Sequence, residues 1–161
     1  MVDYYVYAKD YKGALKQVEE YIEEQEQQGE KVNPDRRIGY IYMKNGQEEK
    51  SVYHFEGVIN NTLKKIEQDQ PNPSGSDYFW LAVTYSAMDD NVRAIESLRE
   101  ARKCVDIEKI SPEIIRYRDY PLLDGIRDEP EFKEFIRSAE DVYLAERKKI
   151  EKLLQEKGVY Q

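Results

Sequence analysis

The sequence of 161 residues predicts an all-α protein in which helical hairpins stack in series, an architecture called an α-solenoid. Three segments share one pattern of core positions, with successive spacings of three, nine, four and three residues. Spacings of three and four place side chains on one helix face. The step of nine spans a turn that carries D-Y-K-G-A-L, N-G-Q-E-E-K-S or D-D-N-V-R-A-I. Each segment is therefore predicted to form two helices joined by a short turn.

The repeated core positions correspond residue by residue. They are Val2, Tyr5, Ala14, Val18 and Tyr21 in the first segment; Gly39, Tyr42, Ser51, Phe55 and Val58 in the second; and Ala82, Tyr85, Ala94, Leu98 and Ala101 in the third. Small residues should face each other across each helix pair, Gly39 with Ser51 and Ala82 with Ala94. Such pairs allow two helix backbones to approach closely.

The third segment, Y-F-W-L-A-V-T-Y-S-A-M-D-D-N-V-R-A-I-E-S-L-R-E-A, most clearly resembles the tetratricopeptide repeat (TPR). The resemblance implies three degenerate repeats at about 1–28, 33–70 and 76–105 in a single domain spanning 1–161. Equivalent small positions are 37 and 43 residues apart, against about 34 in a regular repeat. Extra length is expected near 28–34 and before Asp77. Because the first helix is short, we also expect the chain to be a fragment of a longer protein.

The last third of the chain, 111–158, departs from the repeat. Ser111-Pro112 should begin a short helix that ends at Tyr120-Pro121, P-L-L-D-G-I-R should form a helical turn, and a long helix should run from Pro130 to just before Gly158. The string Y-P-L-L-D-G-I-R-D-E-P-E-F is similar to the segment that closes TPR arrays in bacterial signalling proteins. This resemblance implies a C-terminal cap that packs over the last repeat.

Composition excludes several classes of protein. The net charge of −8 and the pI near 4.9 disfavour nucleic acid as a partner. Cys104, the single cysteine, rules out a disulfide framework and favours a reducing, cytoplasmic compartment. The sequence has neither an apolar run long enough for a membrane span nor a signal peptide at its N-terminus, so we expect no membrane association.

Catalytic chemistry is not indicated. His54, the single histidine, precedes the core position Phe55 and should be a half-exposed helix residue. We expect Cys104 to be a small packing residue rather than a reactive thiol. The glycines form no phosphate-binding loop, and the runs of carboxylates should be solvated helix faces. We therefore expect no cofactor, no metal and no enzymatic activity, although a cleft with perturbed acids would reopen the last possibility.

The TPR resemblance implies that the first helix of each pair lines a concave groove that binds a peptide. Helical phase selects as groove residues Arg36, Arg37, Tyr40, Met43, Lys44, Phe79, Trp80 and Val83, with Asp3, Val6, Tyr7 and Ser86 beside them. Such aromatic and cationic side chains are typical of binding surfaces. An apolar anchor of the partner should meet Phe79 and Trp80, and an acidic group should meet Arg36, Arg37 or Lys44.

Two alternatives remain open. Tyr40, Phe79 and Trp80 could be covered by neighbouring helices or by the C-terminal cap. The chain could also form a homodimer, either by burying Val2, Tyr5 and Val6 at the open first repeat or by pairing its tail helix.

The main prediction is a noncatalytic module for protein or peptide partners in bacterial signalling. The clamp for acidic chaperone tails is not expected, since Asp3, Phe79 and Trp80 replace its polar and basic positions.

Overall fold

The computed structural model describes residues 2–104 and 107–157, and this part of the chain is all-helical, without strands, as predicted. It contains α1 (Val2–Tyr7), α2 (Tyr11–Gln27), α3 (Arg36–Lys44), α4 (Glu48–Gln68), α5 (Gly75–Ala87), α6 (Asn91–Lys103), α7 (Ile107–Tyr117), a short 3-10 helix (Pro121–Leu123) and α8 (Pro130–Glu156). The predicted units include Met1, Val105 and Gly158, which fall outside the described residues. The side chain of Val2 also falls outside them.

Several helices begin at a side-chain cap. The carboxylates of Asp10, Asp35 and Asp90 accept hydrogen bonds from the backbone N–H groups of Gly13, Arg37 and Arg93, at the starts of α2, α3 and α6. Ser74 caps α5 in the same manner. These bonds satisfy N–H groups that have no partner within the helix, so short polar side chains decide where the helices start.

The three turns within the helix pairs have the same backbone geometry. Lys9, Gly46 and Asp89 each have a positive φ, between 55° and 73°. In each turn, the residue that follows donates its N–H to a carbonyl five positions earlier, on Tyr5, Tyr42 or Tyr85, at 2.9–3.0 Å. This pattern satisfies carbonyls left open at the helix end. The sequence repeat thus extends to the conformation of the turns.

Consecutive helices pack in pairs, α1 with α2, α3 with α4 and α5 with α6, and the second helix of a pair also contacts the first helix of the next. The predicted small positions Gly39, Ser51, Ala82 and Ala94 are all buried, as expected. A β-carbon built on Gly39 would lie 3.1 Å from the Phe55 ring, so glycine permits close contact there. The prediction for Tyr21 is wrong, because this side chain is 46% exposed at the surface of α2.

The C-terminal region packs against the third helix pair. Helix α7 contacts α5 and α6, and α8 contacts α6 and α7. The predicted start of the first of these helices is wrong: α7 contains Pro112 in its interior rather than beginning there. Pro112 cannot donate a backbone hydrogen bond, but a helix continuous through it places both Ile110 and Ile114 in the core. Their burial offsets the lost bond.

Helix α8 is only partly packed against the rest of the protein. Phe132, Phe135 and Ala139 are buried, and ion pairs join Arg99 to Glu131 at 2.9 Å and Arg102 to Glu134 at 3.1 Å. Beyond Ala139, none of the described side chains of α8 is buried. No helix in the described ranges combines the length and apolar character that a membrane span requires.

Candidate functional site

The candidate site is the surface formed by α1, α3 and α5, which we call the first-helix face. Residues 117–126, the closing segment, lie on it. The Tyr120 hydroxyl donates to Asp3 of α1 at 3.2 Å, and the Tyr40 hydroxyl of α3 donates to the Pro121 carbonyl at 3.4 Å. The 3-10 helix packs against α5. One segment therefore contacts all three first helices, rather than the last repeat alone.

Arg127 holds the closing segment in its bent form. Its guanidinium donates to the carbonyl oxygens of Arg118 at 2.5 Å and Tyr120 at 2.9 Å, and to the Asp124 carboxylate at 2.6 Å. Three bonds from one rigid planar group fix the relative positions of both ends of the turn. The segment is thus held by its own side chains as well as by the first-helix face.

The closing segment changes the availability of the predicted groove residues. Tyr40 is 3% exposed, and Phe79 and Val83 are fully buried. The expectation that these three side chains line an open groove is therefore wrong, and so are the expectations for Val6 and Ser86, which are also buried. Helical phase placed them on an apolar face, but that face is covered by other parts of the same chain. For Tyr40 the cover includes Pro121, and for Phe79 it includes the stacked ring of Phe135 in α8 at 6.2 Å.

The remaining predicted residues are more accessible. Met43 is half-buried against the core. Lys44 is exposed, with its ammonium 5.0 Å from the ring centre of Tyr40. Arg37 is also exposed but engaged: it binds Asp35 through Nε at 3.1 Å and Nη2 at 2.6 Å. Of these, Lys44 is the side chain most available to a partner.

Arg36 and Trp80, predicted on separate helices, are brought together by the fold. The guanidinium carbon of Arg36 lies 3.9 Å from the centre of the Trp80 ring, a cation–π contact. The indole N–H donates to Glu113 of α7 at 3.2 Å. A cavity of about 160 Å³ opens beside this pair, and its walls are formed by Asp3, Asp35, Arg36, Arg37, Trp80, Tyr117 and Tyr120. We call it the Arg36 cavity.

Charges around the Arg36 cavity are unequally paired. Burial lowers the pKa of Arg36. Burial alone would raise the pKa of Asp35, but the hydrogen bonds and charge of Arg37 outweigh it and lower that pKa. The bond to Asp35 in turn raises the pKa of Arg37. Asp35 therefore forms its side-chain hydrogen bonds with Arg37, while the guanidinium of Arg36 lies against a ring face and interacts with Asp35 only through its charge.

His54 has a structural role rather than the half-exposed position expected for it. Only 5% of its surface is exposed, and its Nδ1 accepts the backbone N–H of Asp35 at 3.1 Å. Burial lowers the pKa of His54, although the nearby Asp35 charge opposes this. Neutral imidazole thus supports the start of α3. Within the described parts of the chain, no cluster of three or more His, Cys, Asp or Glu side chains could hold a metal ion.

No family model, curated protein or solved structure matches this chain. Function has to be inferred from its own contacts. Those contacts add Tyr117 and Tyr120, which sequence reasoning did not assign to the site. The density of apolar and aromatic residues in Y-R-D-Y-P-L-L-D-G-I-R was a signal that this segment is buried, but nothing in it indicated which surface would bury it.

Proposed function

We propose that the protein is a noncatalytic interaction module, a TPR-like α-solenoid that binds a peptide or partner protein at the first-helix face within a bacterial signalling or regulatory system. The observation that carries this proposal is the closing segment itself. It lies on the first-helix face as a peptide ligand would, with Tyr120, Leu122 and Leu123 buried and its backbone carbonyl at Pro121 accepting from Tyr40. A surface that holds one apolar segment has the chemistry to hold another.

The partner would engage the part of this face that the closing segment leaves accessible. Tyr7 is 44% exposed, and its ring lies 5.4 Å from that of Tyr120. Lys44 is exposed at the far end of α3, and the Arg36 cavity opens between α1 and α5. In this arrangement the buried aromatic residues support the surface, while Tyr7, Arg36 and Lys44 meet the partner.

The contacts of His54 and Cys104 support the proposal of a noncatalytic role, because histidine and cysteine are common catalytic bases and nucleophiles. The Nδ1 atom of His54 is engaged by a backbone N–H, and the ring is buried. The Cys104 thiol donates to the carbonyl oxygen of Glu100 at 3.4 Å, at the C-terminal end of α6. Both side chains serve the ends of helices.

A photo-crosslinking experiment tests the proposed function. A benzophenone amino acid would replace Tyr7 on the first-helix face, and in a matched control it would replace Tyr53 on α4, which is 48% exposed. In cells of the source organism, the Tyr7 variant should form a crosslink to a distinct protein that is much weaker from Tyr53. Trp80→Ala should reduce the Tyr7 crosslink while helicity is retained. Equal labelling from both positions, or none from Tyr7, would contradict the proposal.

Homodimerisation through the tail of α8 is a second candidate. The observation that favours it is a set of large apolar side chains exposed there, Tyr143, Leu144, Ile150 and Leu153. The alternative route through the N-terminal repeat is disfavoured, because Val6 is already buried within the chain. Sedimentation velocity at increasing concentration should show a dimer that Ile150→Glu and Leu153→Glu abolish. A monomer at all concentrations would exclude this candidate.

A further inference from the structure

Arg36 is the basic side chain at this site that has an unsatisfied hydrogen-bond donor. Its Nε is buried and has no hydrogen-bond partner within residues 2–104 and 107–157. The neighbouring Arg37, by contrast, reaches Asp35 at 2.6 Å and Asp3 at 3.4 Å. Asp3 also accepts from Tyr120 at 3.2 Å. Both carboxylates of the cavity are therefore engaged by other donors.

An arginine in this state favours an external acceptor. The Nε–H group of Arg36 has lost its hydration without gaining a hydrogen bond, which is unfavourable. The ring of Trp80 returns part of that loss and holds the planar guanidinium in place. The Arg36 cavity, at about 160 Å³, is roughly ten times larger than the space a single water needs. An acceptor group of several atoms can therefore enter beside it.

We propose that the Arg36 cavity binds a carboxylate group, with the guanidinium of Arg36 as its principal donor. The planar fork of an arginine matches the two oxygens of a carboxylate and can form paired charge-assisted hydrogen bonds. A phosphate dianion loses more hydration than a carboxylate on entering the cavity, and the two arginines and two aspartates of the wall supply no net positive charge to offset that loss. The lining therefore selects a singly charged acid.

The carboxylate can belong to a small acid or to an acidic residue of a bound peptide. The proposal of a peptide source rests on the proposed function, whereas the proposal of a small acid does not. Either source would meet Arg36 beside the indole of Trp80, and the phenol rings of Tyr117 and Tyr120 would form a further part of the wall. The cavity would thus recognise the acidic group itself, and residues around it would decide what the group is attached to.

Trp80 supplies an internal reporter, because it is the single tryptophan of the chain. The full chain would be titrated at constant ionic strength with acetate, inorganic phosphate, the capped peptide acetyl-Ala-Ala-Asp-Ala-Ala-amide and the same peptide with Asn at its centre. Fluorescence excited selectively at tryptophan would be followed. Acetate and the Asp peptide should produce a saturable change, and the Asn peptide should not. Phosphate binding as tight as acetate binding would overturn the choice of a carboxylate.

Three variants locate the binding. Arg36→Gln should weaken acetate binding by roughly tenfold to a hundredfold, measured by calorimetry, as expected for loss of a charge-assisted pair. Arg99→Gln makes the same change of charge on α6, where Arg99 pairs with Glu131, and should leave binding unchanged. Asp3→Asn removes a competing charge but keeps an acceptor for Tyr120, and should tighten binding several-fold. Unchanged affinity in Arg36→Gln, with its helicity intact, would overturn the proposal.

The same measurements distinguish a failure to fold from a loss of binding, and they distinguish a wrong cavity from a wrong partner surface. If Arg36→Gln fails to fold, the Asp3→Asn variant decides: tighter binding supports the site, and unchanged or weaker binding contradicts it. Acetate binding without a crosslink from position 7 would mean that the cavity binds acids while the proposed partner surface is wrong. A crosslink without any carboxylate binding would mean the reverse.

Discussion

At the scale of single residues, His54 links the pH of the solution to the start of α3. Its Nδ1 accepts the Asp35 N–H, and burial lowers its pKa below the ordinary value of 6.5. The unfolded chain therefore binds a proton more readily than the folded chain. As the pH falls from above 6.5 towards the lowered folded value, stability is lost. Protonation of Asp35, whose pKa is also lowered, reduces the stability of the folded chain only in a more acidic range.

The free energy of unfolding should consequently decrease when the pH is lowered from 7.5 to 5.5. The slope cannot exceed about 1.4 kcal/mol per pH unit for one proton. In His54→Asn, an amide oxygen replaces Nδ1 as the acceptor and does not titrate, so the slope over this window should flatten. Urea unfolding at several pH values measures it. A wild-type slope that persists in His54→Asn would show that another group is responsible.

Gly39 tests the close approach of α3 and α4. A β-carbon there would lie 3.1 Å from the Phe55 ring and 3.2 Å from the Cβ of His54. Gly39→Val adds two further methyl groups at this contact, and we expect a loss of about 1–3 kcal/mol. The control, Lys44→Val, places the same side chain at an exposed position of α3 and should change stability by about 0.5 kcal/mol at most. Equal losses in urea unfolding would refute the close contact.

At the scale of elements, the closing segment belongs to the core of the protein. Tyr120, Leu123 and Ile126 are at most 1% exposed, although regular helix accounts for only the short stretch Pro121–Leu123 within residues 118–126. Burial of its side chains, rather than helical hydrogen bonding, therefore stabilises the segment. This differs from a cap that only covers the last helix pair.

Leu123→Ala should accordingly destabilise the protein by about 2–5 kcal/mol, the range for deletion of a buried leucine side chain. Leu144→Ala in α8 removes the same atoms from a residue that is 49% exposed, and its effect should stay within about 0.5 kcal/mol. Thermal or urea unfolding of the two variants provides the comparison. A small effect of Leu123→Ala would mean that the segment can leave the first-helix face without cost.

At the scale of the whole molecule, the closing segment joins the two ends of the fold. In a linear repeat array each unit contacts only its neighbours. Here Tyr120 bonds Asp3, and Lys9 pairs with Asp124 at 3.5 Å, so α1 contacts a segment more than a hundred residues away. Since a helix of six residues such as α1 is marginal by itself, its order depends on tertiary contacts, and this contact adds to those with α2 and α3.

Tyr120→Ala should therefore release α1 selectively. We expect amide hydrogen exchange in α1 to accelerate more than in α6, which packs on α5 and α8. Tyr143→Ala, at a position that is 42% exposed on α8, should leave both rates unchanged. Exchange measured by mass spectrometry distinguishes these outcomes. Uniform acceleration of both helices would indicate general destabilisation instead of loss of the joining contact.

Local and periodic features were predictable from the sequence. The spacing of core residues correctly indicated an all-helical fold and the burial of Gly39, Ser51, Ala82 and Ala94, because helical geometry relates residues three and four apart wherever they occur. Capping residues and turn residues likewise act within a few positions. The predicted site was less accurate, because five of its side chains are buried, those of Val6, Tyr40, Phe79, Val83 and Ser86.

Only the tertiary structure decided which surfaces remain accessible. Tyr40 and Pro121, in contact through one hydrogen bond, are 81 residues apart, and no periodicity relates them. The helical periodicity of the sequence shows that a helix face is apolar, but it cannot show whether a partner protein or another segment of the same chain covers that face. The same limit applies to Arg36 and Trp80, whose contact depends on how α3 and α5 are placed together. The sequence therefore determined the helices and their apolar faces. Long-range packing determined which segment covers each face and left the Arg36 cavity open.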